Sequence, residues 1–144
     1  MQINSSKFNN TQQIPSIYTC KGQNINPPLT FLNVPPQAKS LALIVNDPDS
    51  PSGNFIHWVI WNIPTDSTIL EGSTPKNATQ GRNDFGNVGY GGPCPRNGTH
   101  RYVFNLFALD SNISLTSDAG EPELKKAIEN HILDSSTLTG MFSA

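Results

Sequence analysis

Three short apolar runs, each bounded by turn-forming residues, limit the folds that this chain can adopt. They occupy residues 40–46, 55–63 and 101–109 and are rich in β-branched and aromatic side chains. Runs of this length and composition predict buried β-strands. Because no helical pattern alternates with them, the crossovers that parallel strands need are missing, and an antiparallel β-sandwich is predicted. Its predicted core consists of Leu41, Leu43, Val45, Val59, Ile60, Val103, Phe104, Leu106 and Phe107.

One helix is predicted, near the C-terminal end of the chain and at the periphery of this core. It covers residues 121–133, with Pro122 in the first turn, where proline is tolerated. Five residues share a helix face at the spacing of an apolar stripe: Leu124, Ala127, Ile128, His131 and Ile132. On this pattern His131 packs on the apolar face. Residues 1–39 are rich in Asn, Gln, Pro and Ser, which predicts irregular chain with short edge strands.

The charge balance and the cysteine count exclude several classes of protein. The 144 residues are predicted to form one domain, 1–144, with nine Lys and Arg against eleven Asp and Glu, a formal net charge of −2. That balance provides no basic surface for nucleic acid. No apolar run is long enough to be a transmembrane segment, and the first residues lack the order of a signal peptide, so a cytoplasmic protein is expected. In that reducing compartment Cys20 and Cys94 are expected to be free thiols, with a pairing between them as the alternative.

Three ionisable residues lie at the ends of the predicted strands. Asp47 closes the first, His57 opens the second, and His100 directly precedes the third, where it shares a strand face with Tyr102. Each residue alone is typical of a structural role in a turn or at a strand end. Together they predict an anion site, because imidazoles offer N–H donors and a neighbouring carboxylate favours their protonated form. The glycine-rich segment before His100 is expected to add backbone N–H donors.

Four motifs lie in order along this region. They are Asp47-Pro48-Asp49-Ser50-Pro51, His57-Trp58-Val59-Ile60-Trp61-Asn62-Ile63-Pro64, Gly89-Tyr90-Gly91-Gly92-Pro93-Cys94-Pro95 and Gly98-Thr99-His100-Arg101-Tyr102. They resemble the signatures of the phosphatidylethanolamine-binding protein family, most closely its bacterial and archaeal Raf-kinase-inhibitor-like branch. The chain departs from that branch at three places: Ser50 replaces an alanine, Arg96 falls where a proline is common, and Met141-Phe142 replace Thr-Tyr.

The resemblance implies an antiparallel β-sandwich with a small cavity that binds phosphate-type anions and phospholipid head groups. By the motif match, Asp47 and His57 occupy the pocket positions of the first signature, and Gly92, Pro93, His100 and Tyr102 those of the second. With residues 91–95 as one wall, the full predicted ligand-binding set is Asp47, His57, Gly91, Gly92, Pro93, Cys94, His100 and Tyr102.

The expected function is therefore a small, regulatory binding module for an anionic or phosphorylated ligand, with no cofactor and no catalytic activity. One alternative is an inhibitor of a protease or kinase that acts through surface loops such as 64–86. Another is an enzyme in which Asp47, His57 and His100 hold a metal or act as an acid–base group. The resemblance does not transfer Raf inhibition, and it leaves a homodimer and the identity of any protein target open.

Overall fold

The computed structural model describes residues 1–144, which form two antiparallel sheets and one α-helix. In chain order the elements are β1 (Gln2–Asn4), β2 (Thr30–Leu32), β3 (Ser40–Asp47), β4 (Phe55–Ile63), β5 (Thr79–Gln80), β6 (Thr99–Leu109), α1 (Glu121–Ile128) and β7 (Ile132–Ser143). No helix of the protein has the length and apolarity that crossing a membrane requires. The prediction of a mainly β, antiparallel fold with one helix is confirmed.

The larger sheet has the strand order β5-β4-β3-β6-β7, so the three strands predicted from the apolar runs lie side by side in it. Nearly every residue of β3, the middle strand, is buried. Burial on both faces explains why this strand reads as a continuous apolar run rather than as an alternation of apolar and polar residues. All the pairings in this sheet are antiparallel.

The two faces of the sheet carry separate hydrophobic clusters. On one face, Leu41, Leu43 and Val45 of β3 pack with residues of the N-terminal segment, including Ile14 and Tyr18. On the other, Ala42 and Ile44 pack in the cluster that contains Leu124 and Ile128 of α1. The predicted core residues are buried except Val103 and Phe107, which are half-buried. Both are odd-numbered positions of β6, whose even-numbered neighbours face the first cluster.

The helix is shorter than predicted, and a strand that was not predicted follows it. The α-helix ends at Ile128, Asn130 adopts a left-handed conformation with φ of 68°, and β7 runs back along β6 from Ile132. This turn removes His131 from the helix, although the apolar spacing continues through it. His131 is exposed, and its Nδ1 donates to Asp110 Oδ1 at 2.7 Å. The prediction that it packs on an apolar helix face is therefore wrong.

The N-terminal region contains short strands, as predicted, and it also covers part of the outer edge of β7. Strands β1 and β2 pair with each other in the smaller sheet. Farther along, the N–H of Ile14 donates to the Met141 carbonyl at 2.8 Å, and the N–H of Met141 donates to the Gln12 carbonyl at 2.9 Å. The outermost strand of an open sheet exposes unpaired backbone groups, and these bonds satisfy several of them.

The two cysteines form a disulfide, so the expectation of free thiols is wrong. Cys20 and Cys94 are bonded with their Cα atoms 5.4 Å apart, although 74 positions separate them in the sequence. The Cys20 N–H also donates to the Pro93 carbonyl at 3.1 Å. The expected compartment does not determine the redox state of these cysteines, because the fold brings the two residues within bonding distance.

Candidate functional site

A cavity of about 440 Å³ lies where β3 ends and where β4 and β6 begin. We call it the strand-end cavity. Five of the predicted site residues line it: Asp47, His57, Cys94, His100 and Tyr102. Eight further residues complete its walls: Ser50, Pro51, Ser52, Phe55, Asp84, Phe85, Pro95 and Arg96. The antiparallel order of the three strands places the polar residues of their neighbouring ends in one place, as the sequence analysis expected.

The first polar pair in the strand-end cavity joins β3 to β6. His100 Nδ1 donates to Asp47 Oδ2 at 2.7 Å, and both side chains are buried. The other carboxylate oxygen of Asp47 accepts the backbone N–H of Asp49 at 2.8 Å, which shapes the turn after β3. Asp47 therefore orients His100, and the Nε2 atom of His100 is left without a partner in the protein.

The turn after Asp47 is held to β6 by a second acidic residue. Asp49 accepts two hydrogen bonds from the Arg101 guanidinium, at 2.9 and 2.8 Å, and one from the Arg101 backbone N–H at 2.9 Å. These bonds lower the pKa of the Asp49 carboxyl to about 2. The arrangement fixes the turn that carries Ser50, Pro51 and Ser52 to the strand that carries His100 and Tyr102.

His57 reaches the strand-end cavity because of a β-bulge. Val45 pairs with Trp58, but the next residue of β3, Asn46, pairs with Ile56, so His57 has no partner on β3. An extra residue of this kind redirects the side chains around it. The His57 ring lies 5.2 Å from the Tyr102 ring, centroid to centroid, in an edge-on arrangement. Tyr102 belongs to the same hydrophobic cluster as Trp58, the residue that follows His57.

The protonation of His57 is set by its burial and by one carbonyl. Its Nδ1 lies 2.6 Å from the Gly91 carbonyl oxygen. Because a carbonyl only accepts, Nδ1 carries the proton and Nε2 is left without a protein partner. Burial lowers the pKa of the imidazole, and the backbone of Gly91 and Gly92 together with the charges of Asp47 and Asp84 opposes this effect only in part. At neutral pH the ring is therefore uncharged, and it becomes a donor at Nε2 only when it takes up a proton.

Tyr102 presents an unsatisfied hydroxyl group in the strand-end cavity. The residue is 1% exposed, and its hydroxyl oxygen has no hydrogen-bond partner within 3.5 Å, although the Cys94 backbone and the Asp47 carboxylate lie near enough to influence its pKa. Burial, followed by the negative charge of Asp47, raises the pKa of this phenol, so it stays protonated and can donate. A buried hydroxyl without a partner costs about 1–3 kcal/mol, which makes such groups rare in folded proteins.

Only two residues of the glycine-rich segment, Cys94 and Pro95, line the strand-end cavity, so the predicted wall of residues 91–95 is found only in part. Gly91, Gly92 and Pro93 are not lining residues. The N–H of Gly91 donates to the His57 carbonyl at 2.9 Å, and the N–H of Gly92 donates to Asn24 Oδ1 at 2.8 Å. The N–H groups of Gly91 and Gly92 therefore have partners within the protein, and the donor role predicted for the segment stays a prediction for its lining residues.

Glycine is required at these two positions by close packing. A Cβ on Gly91 would lie 2.5 Å from the Phe85 ring, and one on Gly92 would lie 2.3 Å from the Tyr18 carbonyl oxygen. The segment can therefore pass close enough for its carbonyl to hold the His57 ring. These glycines contribute to the site through the position of the backbone.

Two lining residues that sequence reasoning missed come from the loop before the glycine-rich segment. Phe85 packs its ring 5.4 Å from the His57 ring, and Asp84 accepts the N–H of Ile56 at 2.8 Å through Oδ2. Both side chains lie on a segment of turn-forming residues with no strand or helix pattern. A phenylalanine among turn-forming residues is the one signal that the sequence offers, because apolar residues in polar loops commonly contact a site or a partner.

Three polar atoms of residues that line the strand-end cavity thus lack a hydrogen bond within the protein: Nε2 of His57, Nε2 of His100 and the hydroxyl oxygen of Tyr102. No group of three or more His, Cys, Asp or Glu side chains is arranged to hold a metal ion. One neutral donor and two imidazoles that donate when protonated are suited to an oxygen-rich anion.

Comparison with known proteins gives a consistent result over the whole chain. The sequence model described as phosphatidylethanolamine-binding protein matches residues 4–143. A UPF0098 protein of Methanothermobacter thermautotrophicus is 48% identical over 148 residues, which cover 99% of this chain and 98% of the relative. A second UPF0098 protein, from Pyrococcus horikoshii, is 45% identical over 147 residues, covering 96% of this chain and 74% of the relative.

Two crystal structures share the fold. A phosphatidylethanolamine-binding protein homolog from Chlamydia trachomatis, CT736, superposes with a TM-score of 0.95 at 39% identity, over 99% of this chain and 97% of that one. Escherichia coli YbcL, described as a new member of the mammalian family, superposes with a TM-score of 0.93 at 29% identity, over 99% and 98% of the two chains.

Proposed function

Since the chain belongs to the phosphatidylethanolamine-binding protein family, we propose that its strand-end cavity binds a phosphate-type anion, either free or as the head group of a phospholipid. The observation that carries the proposal is the buried, unpartnered hydroxyl of Tyr102 beside two imidazoles whose Nε2 atoms have no protein partner. A bound phosphate oxygen gives all three groups a hydrogen-bond partner at once.

Proton uptake is part of the proposed binding step. His57 is uncharged in the free site because burial lowers its pKa. An anion that accepts a hydrogen bond from Nε2 favours the protonated ring and so raises the pKa of His57 in the complex. Binding then takes up a proton, and the affinity is highest in acidic solution and falls as the pH rises through the bound-state pKa.

We favour a binding protein over an enzyme. Neither imidazole is hydrogen-bonded to a hydroxyl or thiol that could act as a nucleophile, since their partners are the Gly91 carbonyl and the Asp47 carboxylate. The nearby Ser50 hydroxyl instead bonds to the Ser52 hydroxyl at 3.1 Å. A regulatory role, in which a bound anion changes the surface around the cavity, belongs to the same proposal.

A cytoplasmic location also remains a proposal, and the disulfide between Cys20 and Cys94 bears on it. Disulfides persist mainly in oxidising compartments, although intracellular proteins of hyperthermophiles are an exception. Fractionation of the native host, followed by detection with an antibody, determines the location of this chain directly.

The binding proposal is tested by calorimetric titration with sulfate, inorganic phosphate and glycerophosphoethanolamine at pH 6 and pH 8. Sulfate keeps a fixed charge, so it isolates the titration of the protein, and we expect tighter binding at pH 6. Comparison of phosphate with glycerophosphoethanolamine separates a free anion from a lipid head group. Tyr102→Phe should weaken sulfate binding about tenfold or more, because a hydrogen bond to a charged group is lost.

Tyr90→Phe is the matched control, since it removes a phenolic hydroxyl outside the cavity that donates to the Tyr18 carbonyl at 2.7 Å. It should retain the parent affinity. Tyr102→Phe should unfold at the same denaturant concentration as the parent or a higher one, because it deletes an unsatisfied group. Absence of binding by the parent, or parent-like binding by Tyr102→Phe, would reject the proposal.

A further inference from the structure

We propose that Arg96 makes the strand-end cavity selective for a small phosphomonoester that carries a second anionic group, such as a carboxylate. This inference rests on the proposed function and specifies the class of ligand. Arg96 lines the cavity. Its guanidinium has no ion pair and no hydrogen bond within the protein.

The other charged groups of the cavity already have partners. Asp47 binds His100, and Asp84 accepts the N–H of Ile56. Arg96 is the only Lys or Arg side chain among the lining residues. Without it, the permanent charges of the cavity would be two carboxylates, which repel a doubly anionic ligand. Arg96 therefore supplies the attraction that such a ligand needs.

Arg96 lies nearer the protein surface than the residues of the proposed phosphate site. His57, His100 and Tyr102 are 4%, 8% and 1% exposed, whereas Arg96 is an exposed residue. A phosphate that reaches the three buried groups leaves the rest of its molecule nearer the opening of the cavity. A second anionic group on that part of the molecule can approach the guanidinium, which binds carboxylates through two parallel hydrogen bonds.

The chain around Arg96 is anchored on both sides, which keeps its backbone at the opening. Two residues before it, Cys94 is tied to Cys20 by the disulfide. Two residues after it, the Gly98 carbonyl accepts the N–H of Ala144 at 2.9 Å, and β6 begins at Thr99. The backbone of this short loop has little freedom to carry Arg96 away from the cavity.

The selectivity is tested with two probes that differ in one group. Glycerol 3-phosphate carries a hydroxymethyl group where 3-phosphoglycerate carries a carboxylate. We expect the parent protein to bind 3-phosphoglycerate about fivefold more tightly by calorimetry at pH 7, the gain from one partly exposed ion pair. Arg96→Gln should bring this ratio of affinities close to one.

Lys126→Gln is the control for net charge, because it removes one exposed cation from α1, and no residue of α1 lines the cavity. It should keep the parent ratio. A parent ratio of one or less, or an Arg96→Gln ratio equal to that of the parent, would reject the role of Arg96 while leaving anion binding intact. If the parent binds neither probe, and also fails to bind phosphate and sulfate, the proposed function itself falls and this inference falls with it.

Discussion

At the scale of single residues, His57 couples the chemistry of the cavity to the stability of the fold. Its ring is buried, packs against Tyr102 and Phe85, and donates through Nδ1 to the Gly91 carbonyl. The acidic groups nearest to it are Asp47 on β3 and Asp84 in the loop before the glycine-rich segment. Burial outweighs these charges and lowers the pKa of the ring. Protonation of His57 at acid pH therefore destabilises the folded state.

The free energy of unfolding should therefore decrease as the pH falls from 7.5 to 5. The unfolded chain holds His57 at a pKa of about 6.5 and binds the proton more readily than the folded chain does, so acidification stabilises the unfolded state. Urea denaturation at several pH values measures this, and His57→Gln should flatten the profile. His131→Gln, a change at an exposed histidine, should keep the loss at acid pH. An unchanged slope in His57→Gln would contradict the assignment.

Period-two alternation predicts which residues of a regular strand lie together, and it fails where the strand is irregular. It correctly placed His100 and Tyr102 on one face of β6, where both are buried. The direction of His57 depends on the bulge opposite Val45 and Asn46, which no residue in β4 signals. The pairing of the Gly92 N–H within the protein likewise depends on Asn24, a residue distant in sequence.

At the scale of elements, β6 shows how one strand serves both faces of the sheet. Its even-numbered residues from His100 to Ala108 are buried, and its odd-numbered residues up to Phe107 are exposed or half-buried. Phe104 lies within the first hydrophobic cluster, and Phe107 packs at the margin of the second. Phe104 therefore buries more of its side-chain surface than Phe107 does, although both belong to the same strand.

Phe104→Ala should lower the free energy of unfolding by about 3–5 kcal/mol, because it opens a cavity in a closely packed cluster. Phe107→Ala, the same chemical change at a half-buried position, should cost less than half as much. Chemical denaturation of the two variants beside the parent gives both values. Equal losses would show that the two faces of β6 are packed equally well.

At the end of α1 and the start of β7, the helical spacing of apolar residues no longer predicts the secondary structure. The residues at helical spacing continue to Ile132, but the left-handed Asn130 redirects the chain and Ile132 pairs with Leu109 of β6. In β7 only Leu138, Gly140 and Phe142 are buried, at alternate positions. Because a strand at the edge of the sheet buries few residues, its sequence carries a weak apolar signal.

At the scale of the whole molecule, the disulfide joins the N-terminal region to the wall of the strand-end cavity. Cys94 lines the cavity and Cys20 follows the 3₁₀ turn at Ser16–Tyr18. Two cysteines in a sequence allow one disulfide, but only the folded structure gives the distance between their Cα atoms. The bond closes a loop over a separation of 74 positions, which restricts the unfolded chain strongly.

Replacement of both cysteines by serine should lower the free energy of unfolding by about 2–4 kcal/mol, the usual contribution of a bond that closes a long loop. Thermal denaturation with and without a reducing agent provides the control, because reduction should lower the Tm of the parent and leave that of the double variant unchanged. Thiol titration of the unfolded parent that detects two free cysteines would contradict the prediction.

Residues 10–14, which bond to the outer edge of β7, meet that strand late during synthesis on the ribosome. The N–H of Thr139 donates to the Asn10 side chain across 129 positions of sequence, so almost the whole chain must be made before this contact can form. During translation residues 10–14 are present without β7, and β6 emerges before the strand that pairs with its free side. The sheet is completed only when β7 leaves the exit tunnel, so a nascent chain that ends before β7 exposes the open side of β6 to other nascent chains and to chaperones.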